Sequence, residues 1–155
     1  MSLSDEQDLV IALLTLHEEL LGKMYDTYAE RFKDLKEVWK RLAGAERGHA
    51  KMLDGLRSKI KKGELSFNQD RFELEAMRTS LVHLETKVAE ASTINTVLEA
   101  LRTALEFEKG ILERRYYKVA DGDHPEMRSI FMLLAIDTEL HRDEIQKLYN
   151  EFSRK

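Results

Sequence analysis

The chain has 155 residues, 43% hydrophobic and 35% charged, with one proline, no cysteine and a formal net charge of −4. This length can bury one core without disulfides, and the lack of cysteine excludes disulfides, thiolate nucleophiles, zinc fingers and iron–sulfur centres. The charges are dispersed, which argues against a nucleic-acid partner, and no apolar run is long enough to span a membrane. The start, MSLSDEQD, is unlike a secretory signal. We therefore expect one cytoplasmic domain over residues 1–155, with no nucleic-acid or membrane partner.

The first half of the chain predicts two amphipathic helices joined by a short break. Apolar side chains recur at spacings of three and four over residues 4–32, where Ser4 is expected as the N-cap and Gln7 reaches back to it. After the break, Asp34 can cap a second helix that ends around Gly63, behind a basic last turn.

The second half predicts a crossover and a second helical pair. Residues 67–92 are long for a connection and carry an apolar stripe of their own, so we expect a crossover that contains another helix. A Ser92 or Thr93 cap begins the third main helix, whose face extends to Val119 before the loop DGDHP. Pro125 suits the first turn of the last helix. The chain therefore predicts an all-α, antiparallel four-helix bundle with a long helical crossover between helices 2 and 3.

Polar residues interrupt the apolar faces of these helices at one level. The interruptions are Glu18 on the first helix, Glu46 and His49 on the second, Glu108 on the third and His141 on the last, with Arg115 nearer the end of the third. In an antiparallel hairpin, two residues at the same height have their midpoint at the connecting loop. The midpoint of Glu18 and Glu46 falls at about residue 32, and that of Glu108 and His141 at about residue 124, so each set faces its partner across a hairpin.

These side chains predict a metal site, because buried carboxylates need compensation. Three uncompensated buried carboxylates would each cost on the order of several kcal/mol. Glutamate oxygens and histidine nitrogens are ligands for iron, manganese or zinc, and an i, i+3 pair on one helix can reach a common ion. In four-helix bundles, one Glu from each of two helices and Glu-x-x-His from each of the other two build a two-metal site.

The segments LHEELLGKMYDTYAERF, AERGHAKML, ALEFEKGILERRYYKVA and LLAIDTELHRDEI, in this order, resemble the ferritin-like superfamily, specifically rubrerythrin-type di-iron proteins. The resemblance implies a ferritin-like bundle and homodimer, and one or two iron ions, with manganese or zinc as alternatives. It also implies peroxide or oxygen as the substrate. It places the metal ligands at Glu18, Glu46, His49, Glu108 and His141, and Tyr25, two turns after the first ligand, at the position of a candidate catalytic tyrosine.

Two departures from the family pattern bear on the chemistry. The position three before His141 is Thr138, which supplies no carboxylate, so five of six expected protein ligands remain. Asp137 or water can fill the gap, and we expect the second metal position to be weaker or lost. The chain also lacks the four-cysteine iron domain of rubrerythrins proper, so electrons would come from an external donor protein.

Two other functions stay open at this point. Metal binding or storage without turnover is favoured by Thr138, and a metal-free structural bundle is possible if Glu46 and His49 pair with each other and Arg115 completes a salt-bridge network. Other polar and aromatic residues have ordinary expectations: His17 partly exposed, His83 and His124 on the surface, Glu19, Glu106 and Glu139 solvated, and Tyr28, Trp39, Tyr116 and Tyr117 packing in the bundle.

Overall fold

The computed structural model describes residues 2–120 and 122–155, which form five α-helices and no strand. The helices are α1 (Leu3–Arg31), α2 (Lys36–Lys61), α3 (Leu74–Glu90), α4 (Val97–Glu113) and α5 (Pro125–Ser153), with short 3₁₀ turns at Lys33–Leu35 and Gln69–Arg71. The predicted all-helical, ferritin-like bundle is confirmed, and α3 is its crossover helix. Of the predicted DGDHP loop, Asp121 lies outside the described residues.

The helices pack as two hairpins with the crossover helix on one side. α1 packs against α2, α4 packs against α5, and α3 lies against α1. One cluster of buried apolar side chains draws on all five helices. Near the α1–α2 connection, the Trp39 ring lies 5.5 Å from that of Tyr25 and 5.0 Å from that of Tyr28, centroid to centroid. This aromatic packing fixes the Tyr25 ring inside the bundle.

The start of α1 differs from the prediction. Ser2, not Ser4, is the N-cap: its hydroxyl accepts from the N–H of Asp5 at 3.1 Å, and the Asp5 carboxylate accepts from the N–H of Ser2 at 3.3 Å. This reciprocal pair satisfies two amides that the helix leaves free. The Ser4 hydroxyl and the Gln7 amide instead donate to backbone carbonyls of α2 and of the segment after it.

Two other predicted caps are wrong. Asp34 lies inside the 3₁₀ turn, so Leu35 is the N-cap of α2 and makes no side-chain capping bond. Ser92 and Thr93 lie in the turn that ends α3, and Thr96 caps α4 three residues later. Several polar residues in one connection can each cap a helix, so the sequence alone leaves the choice among them open.

α4 ends at Glu113, six residues before the expected end at Val119. Arg115 adopts a left-handed conformation with φ of 55°, which redirects the chain and leaves Arg115 exposed while Tyr116 and Tyr117 are buried. The start of α5 at Pro125 is confirmed. Among the described residues, no helix combines the length and apolar character needed to cross a bilayer.

Candidate metal centre

Five acidic and imidazole side chains from four helices meet inside the bundle. Each is nearly inaccessible to solvent, with exposed fractions of 0–7%: Glu18 on α1, Glu46 and His49 on α2, Glu108 on α4 and His141 on α5. Their convergence follows from helical periodicity, because each residue falls on the stripe that its helix turns toward the core. The structure therefore brings together all five residues that the sequence predicts as ligands; their role as ligands stays a prediction.

The five side chains form two triads that share Glu46. One triad is Glu18, Glu46 and His49, the other is Glu46, Glu108 and His141, and the potential ligand atoms of each triad lie within 4.8 Å of one another. The two oxygens of Glu46 face different imidazoles: Oε1 lies 2.9 Å from Nδ1 of His141, and Oε2 lies 3.3 Å from Nδ1 of His49. Glu46 therefore occupies the position of a bridging carboxylate between two potential metal sites.

A tyrosine hydroxyl holds one oxygen of each outer carboxylate. Tyr25 donates to Oε1 of Glu108 at 2.8 Å, and Tyr117 donates to Oε1 of Glu18. The other oxygen of each carboxylate, Oε2, is buried and has no hydrogen-bond partner among residues 2–120 and 122–155. The same is true of Nδ1 of His49. Unpaired buried polar atoms of this kind cost about 1–3 kcal/mol each, and more when charged. A metal cation among them would offset that cost, so this donor set fits a metal.

Protons on the same groups explain how the metal-free cluster can stay folded. Burial raises the pKa of Glu46 well above its usual range, and the nearby Glu18 and Glu108 carboxylates raise it further. Burial alone would also raise the pKa of Glu18, but its close approach to Glu46 and to the His49 imidazole outweighs burial and lowers the pKa to about 2. The cluster thus holds an acid that keeps its proton beside an acid that releases it.

Both imidazoles of the cluster bind protons strongly. Burial would lower the pKa of His49, but the Glu18 and Glu46 carboxyl groups that face its Nδ1 outweigh burial and raise the pKa to about 11. The same balance, with Glu108 and Glu46 as the partners, raises the pKa of His141 to about 10. Without metal, Glu46 and both imidazoles therefore carry protons at neutral pH, and a bound metal would have to displace them.

A family model described as Rubrerythrin matches residues 16–149, a range that includes every residue of both triads. The chain belongs to the rubrerythrin family. The comparisons with curated proteins and with solved structures gave no match. The resemblance recognised in the sequence is therefore confirmed, and with it a rubrerythrin-family, ferritin-like protein whose two buried Glu/His triads suggest a di-metal carboxylate site.

Thr138, where this rubrerythrin departs from the family pattern, is buried, and its hydroxyl is already hydrogen-bonded within its own helix. Thr138 is 1% exposed, and its hydroxyl donates to the carbonyl of Leu134 at 2.7 Å, one turn back on its own helix. Asp137 lies on the far side of His49, where its Oδ2 is 2.9 Å from Nε2, and about a third of its side chain is exposed. Asp137 belongs to neither triad; it orients His49 so that Nδ1 faces the carboxylates.

Two expectations about neighbouring residues are wrong. His17 is buried, with Nε2 3.5 Å from the Ser80 hydroxyl, because the crossover helix covers this face of α1. Burial and the nearby Arg114 lower the pKa of His17 to about 4, so its imidazole is neutral. Arg115 is exposed and joins no network within the described residues, which removes the cation proposed for a metal-free alternative.

Tyr117 is a residue of the candidate site that the sequence did not reveal. It was expected only to pack, yet its hydroxyl binds Glu18 across the bundle. The first hairpin places Tyr25 seven residues after Glu18, but seven residues after Glu108 comes Arg115. Tyr117 reaches the site because α4 ends early and the chain turns at Arg115. The sequence signal available is the pair of adjacent tyrosines in RRYY, but a helical pattern does not show which of the two faces the site.

Proposed function

We propose that this rubrerythrin-family protein binds one or two iron ions in the two triads and reduces peroxide or oxygen. The observation that carries the proposal is a set of buried atoms around the shared Glu46 that have no hydrogen-bond partner in the described part of the chain: Oε2 of Glu18, Nδ1 of His49 and Oε2 of Glu108. An interior built only for stability would leave such atoms paired, since buried polar groups are almost always hydrogen-bonded.

The donor set suits iron. Carboxylate oxygens and imidazole nitrogens bind iron, manganese and zinc, whereas the absence of cysteine leaves no thiolate to select a softer metal. Bound iron would supply the change of oxidation state that peroxide or oxygen reduction requires. Glu18, Glu46 and His49 would hold one ion, and Glu46, Glu108 and His141 the other.

Two tyrosines beside the triads keep their protons and orient the outer carboxylates. The Tyr25 hydroxyl keeps its proton because burial and the nearby Glu108 raise its pKa well above the usual value, so it remains a donor to Oε1 of Glu108. Tyr117 does the same for Glu18. Each tyrosine thereby fixes one carboxylate oxygen and leaves the other free for a ligand. We propose Tyr25 as a residue that positions Glu108 and holds a proton close to where substrate would bind.

The electron balance requires a second protein. Reduction of hydrogen peroxide to two water molecules consumes two electrons and two protons. The chain has no cysteine and hence no iron–sulfur or thiol centre of its own to deliver those electrons. An external electron-donor protein would therefore regenerate the reduced iron after each turnover.

A homodimer, which the family resemblance implies, is part of the same proposal. α5 carries a strip of exposed large apolar side chains: Met132, Leu133, Ile136 and Leu140, each 43–60% exposed. Such a strip offers a second copy of the chain an apolar surface. Sedimentation equilibrium of the wild-type chain would give the mass of a dimer if this part is right and that of a monomer if it is wrong.

Metal binding without turnover is the second candidate, and Thr138 favours it. The inward residue of α5 that would add a second shared carboxylate is a threonine whose hydroxyl is bonded to its own helix. One ion held by fewer carboxylates suits storage or transfer as well as catalysis. Measured metal stoichiometry together with peroxide turnover separates the two functions.

The test compares wild type with Glu46→Gln, which preserves the volume of the shared side chain but removes its charge. Each protein is loaded anaerobically with Fe(II), its bound iron is measured, and peroxide consumption is followed with a chemical reductant. Wild type should bind iron and consume peroxide, the variant should lose most of both, and Glu19→Gln, an exposed neighbour of Glu18, should match wild type. Iron bound normally without peroxide consumption would support storage; equal iron binding by wild type and Glu46→Gln would contradict the metal site itself.

A further inference from the structure

A cavity outside the metal centre lies between the start of the crossover helix and the segment after α4. Its volume is about 340 Å³, and it is lined by Arg71, Phe72, Glu73, Ala76, Arg114 and Tyr116. None of these residues belongs to the two triads. The volume is in the range of small-ligand pockets, and the lining combines two guanidinium groups with two aromatic rings and a methyl group.

Arg71 presents a pair of free donors in this region. Its Nη1 donates to Oδ1 of the buried Asp123 at 2.9 Å, while Nε and Nη2 are buried and have no hydrogen-bond partner within residues 2–120 and 122–155. The guanidinium also packs against two rings, with Cζ 4.9 Å from the centroid of Phe72 and 5.9 Å from that of Phe67. Arg71 is therefore held in place while two of its nitrogens remain unsatisfied.

The free pair is the edge of arginine that binds a carboxylate with two parallel hydrogen bonds. The same chain shows this use elsewhere: Nε of Arg57 donates to Oδ1 of Asp8 at 2.9 Å, and Nη2 donates to Oδ2 at 3.2 Å. Arg57 thus provides an internal example of the pairing that the corresponding edge of Arg71 lacks. A planar anion with two oxygens would complete it.

Two further donors belong to the same cavity. Tyr116 is 5% exposed, and its buried hydroxyl also has no partner in the described part of the chain. The cavity includes the first turn of α3, a helix of 17 residues whose N-cap, Glu73, makes no side-chain capping bond, so the first backbone N–H groups are free to bind an anion. Glu73 is the one acidic residue that lines the cavity, and it is exposed to solvent.

We infer that this cavity is a binding site for a small organic carboxylate, held by the Nε and Nη2 edge of Arg71, the Tyr116 hydroxyl and the N–H groups at the start of α3. The apolar body of the ligand packs on Phe72 and Ala76. Arg114 adds a second positive charge at the exposed side of the cavity. A carboxylate would satisfy in one step several buried donors that find no acceptor among residues 2–120 and 122–155.

The experiment uses benzoate, with benzamide as the neutral probe of the same shape and inorganic phosphate as the other oxygen anion. Each is titrated into the full-length chain, as purified and after EDTA treatment, while amide NMR signals of residues 72–76 and the heat of binding are recorded. Benzoate should shift these signals in both preparations, and benzamide should bind about tenfold or more weakly because it loses the charge-assisted pair. Benzoate binding that disappears with EDTA would place the ligand on the metal and overturn the inference.

Two variants locate the site. Tyr116→Phe removes only the hydroxyl, and Arg71→Lys keeps the charge but removes the two-donor edge; each should weaken benzoate by about tenfold. Arg142→Lys, at a half-exposed position of α5 outside the cavity lining, should bind as wild type does. Because Arg71→Lys also disturbs the pair with Asp123, Tyr116→Phe carries the conclusion if the first variant does not fold. Unchanged benzoate affinity in Tyr116→Phe, or tighter binding of phosphate than of benzoate, would overturn the inference.

Discussion

Metal binding to this cluster should release protons, and the structure gives their number. At neutral pH the metal-free cluster holds one proton on Glu46, whose pKa is raised well above its usual range, and one extra proton on each imidazole, with pKa values of about 11 for His49 and about 10 for His141. An ion held by the first triad would take the place of the protons on Glu46 and His49, so two protons should leave. A second ion, held by the other triad, would displace the extra proton of His141 and release a third.

The magnitude follows from linkage. Each displaced proton makes the apparent affinity rise about tenfold per pH unit, so the first ion should bind about a hundredfold more tightly per unit as the pH rises between 6 and 8. Zn²⁺ serves as the probe because it has no redox chemistry of its own. Titration calorimetry in PIPES, MOPS and HEPES at one pH separates the heat of binding from the heat of buffer protonation, and the slope gives the proton count.

Two matched variants sharpen the measurement. His141→Gln should release about one proton fewer at full loading, since it removes one of the displaced protons, whereas Glu139→Gln, on the exposed face of the same helix, should leave the count unchanged. A release near zero, or an affinity independent of pH from 6 to 8, would show that the metal does not use Glu46 and the imidazoles, and would refute the reasoning.

Four further outcomes are expected. Because the folded-state pKa values of His49 and His141 lie above the unfolded value of about 6.5, their contribution is full below that pH and declines as the pH rises toward 10; urea unfolding of metal-free protein should show a loss of about 1 kcal/mol per pH unit for each imidazole between pH 7 and 9, and a flat profile would contradict it. Asp137→Asn should weaken Zn²⁺ binding about ten- to a hundredfold in a chelator competition, and unchanged affinity would mean that Asp137 does not orient His49. Thr138→Glu should raise the number of ions bound in elemental analysis; the same number would show that α5 contributes only its histidine. Tyr117→Phe should destabilise the metal-free protein by about 1–3 kcal/mol in urea, since a buried carboxylate loses its donor, and no loss would contradict the bond to Glu18.

Helical periodicity was enough to predict the five side chains of the cluster. Glu18 and Glu46 each fall on a stripe of apolar neighbours, and the short connection between their helices fixes which heights meet. These are local rules, applied separately to each hairpin. The sequence therefore predicted both the bundle and the level at which its acids and imidazoles converge.

What the sequence did not predict depends on contacts between distant segments. His17 is buried because α3 covers it, and no pattern within α1 reports where the crossover helix will lie. Tyr117 reaches Glu18 because α4 ends at Glu113, a boundary that the helical pattern extends to Val119. The N-caps of α1, α2 and α4 were also missed, since the sequence offers a polar candidate near each start and the packing of the chain decides where the helix begins.

The sharing of Glu46 makes the two halves of the cluster depend on one another. Loss of His49 or His141 would leave one triad intact, but loss of Glu46 would remove a member from both. Because Thr138 stands where a second shared acid would be, Glu46 would be the side chain in contact with both ions if two bind. An ion bound in one triad would change the charge and position of Glu46 and hence the affinity of the other triad. We therefore expect two ions to bind one after the other, with unequal affinities.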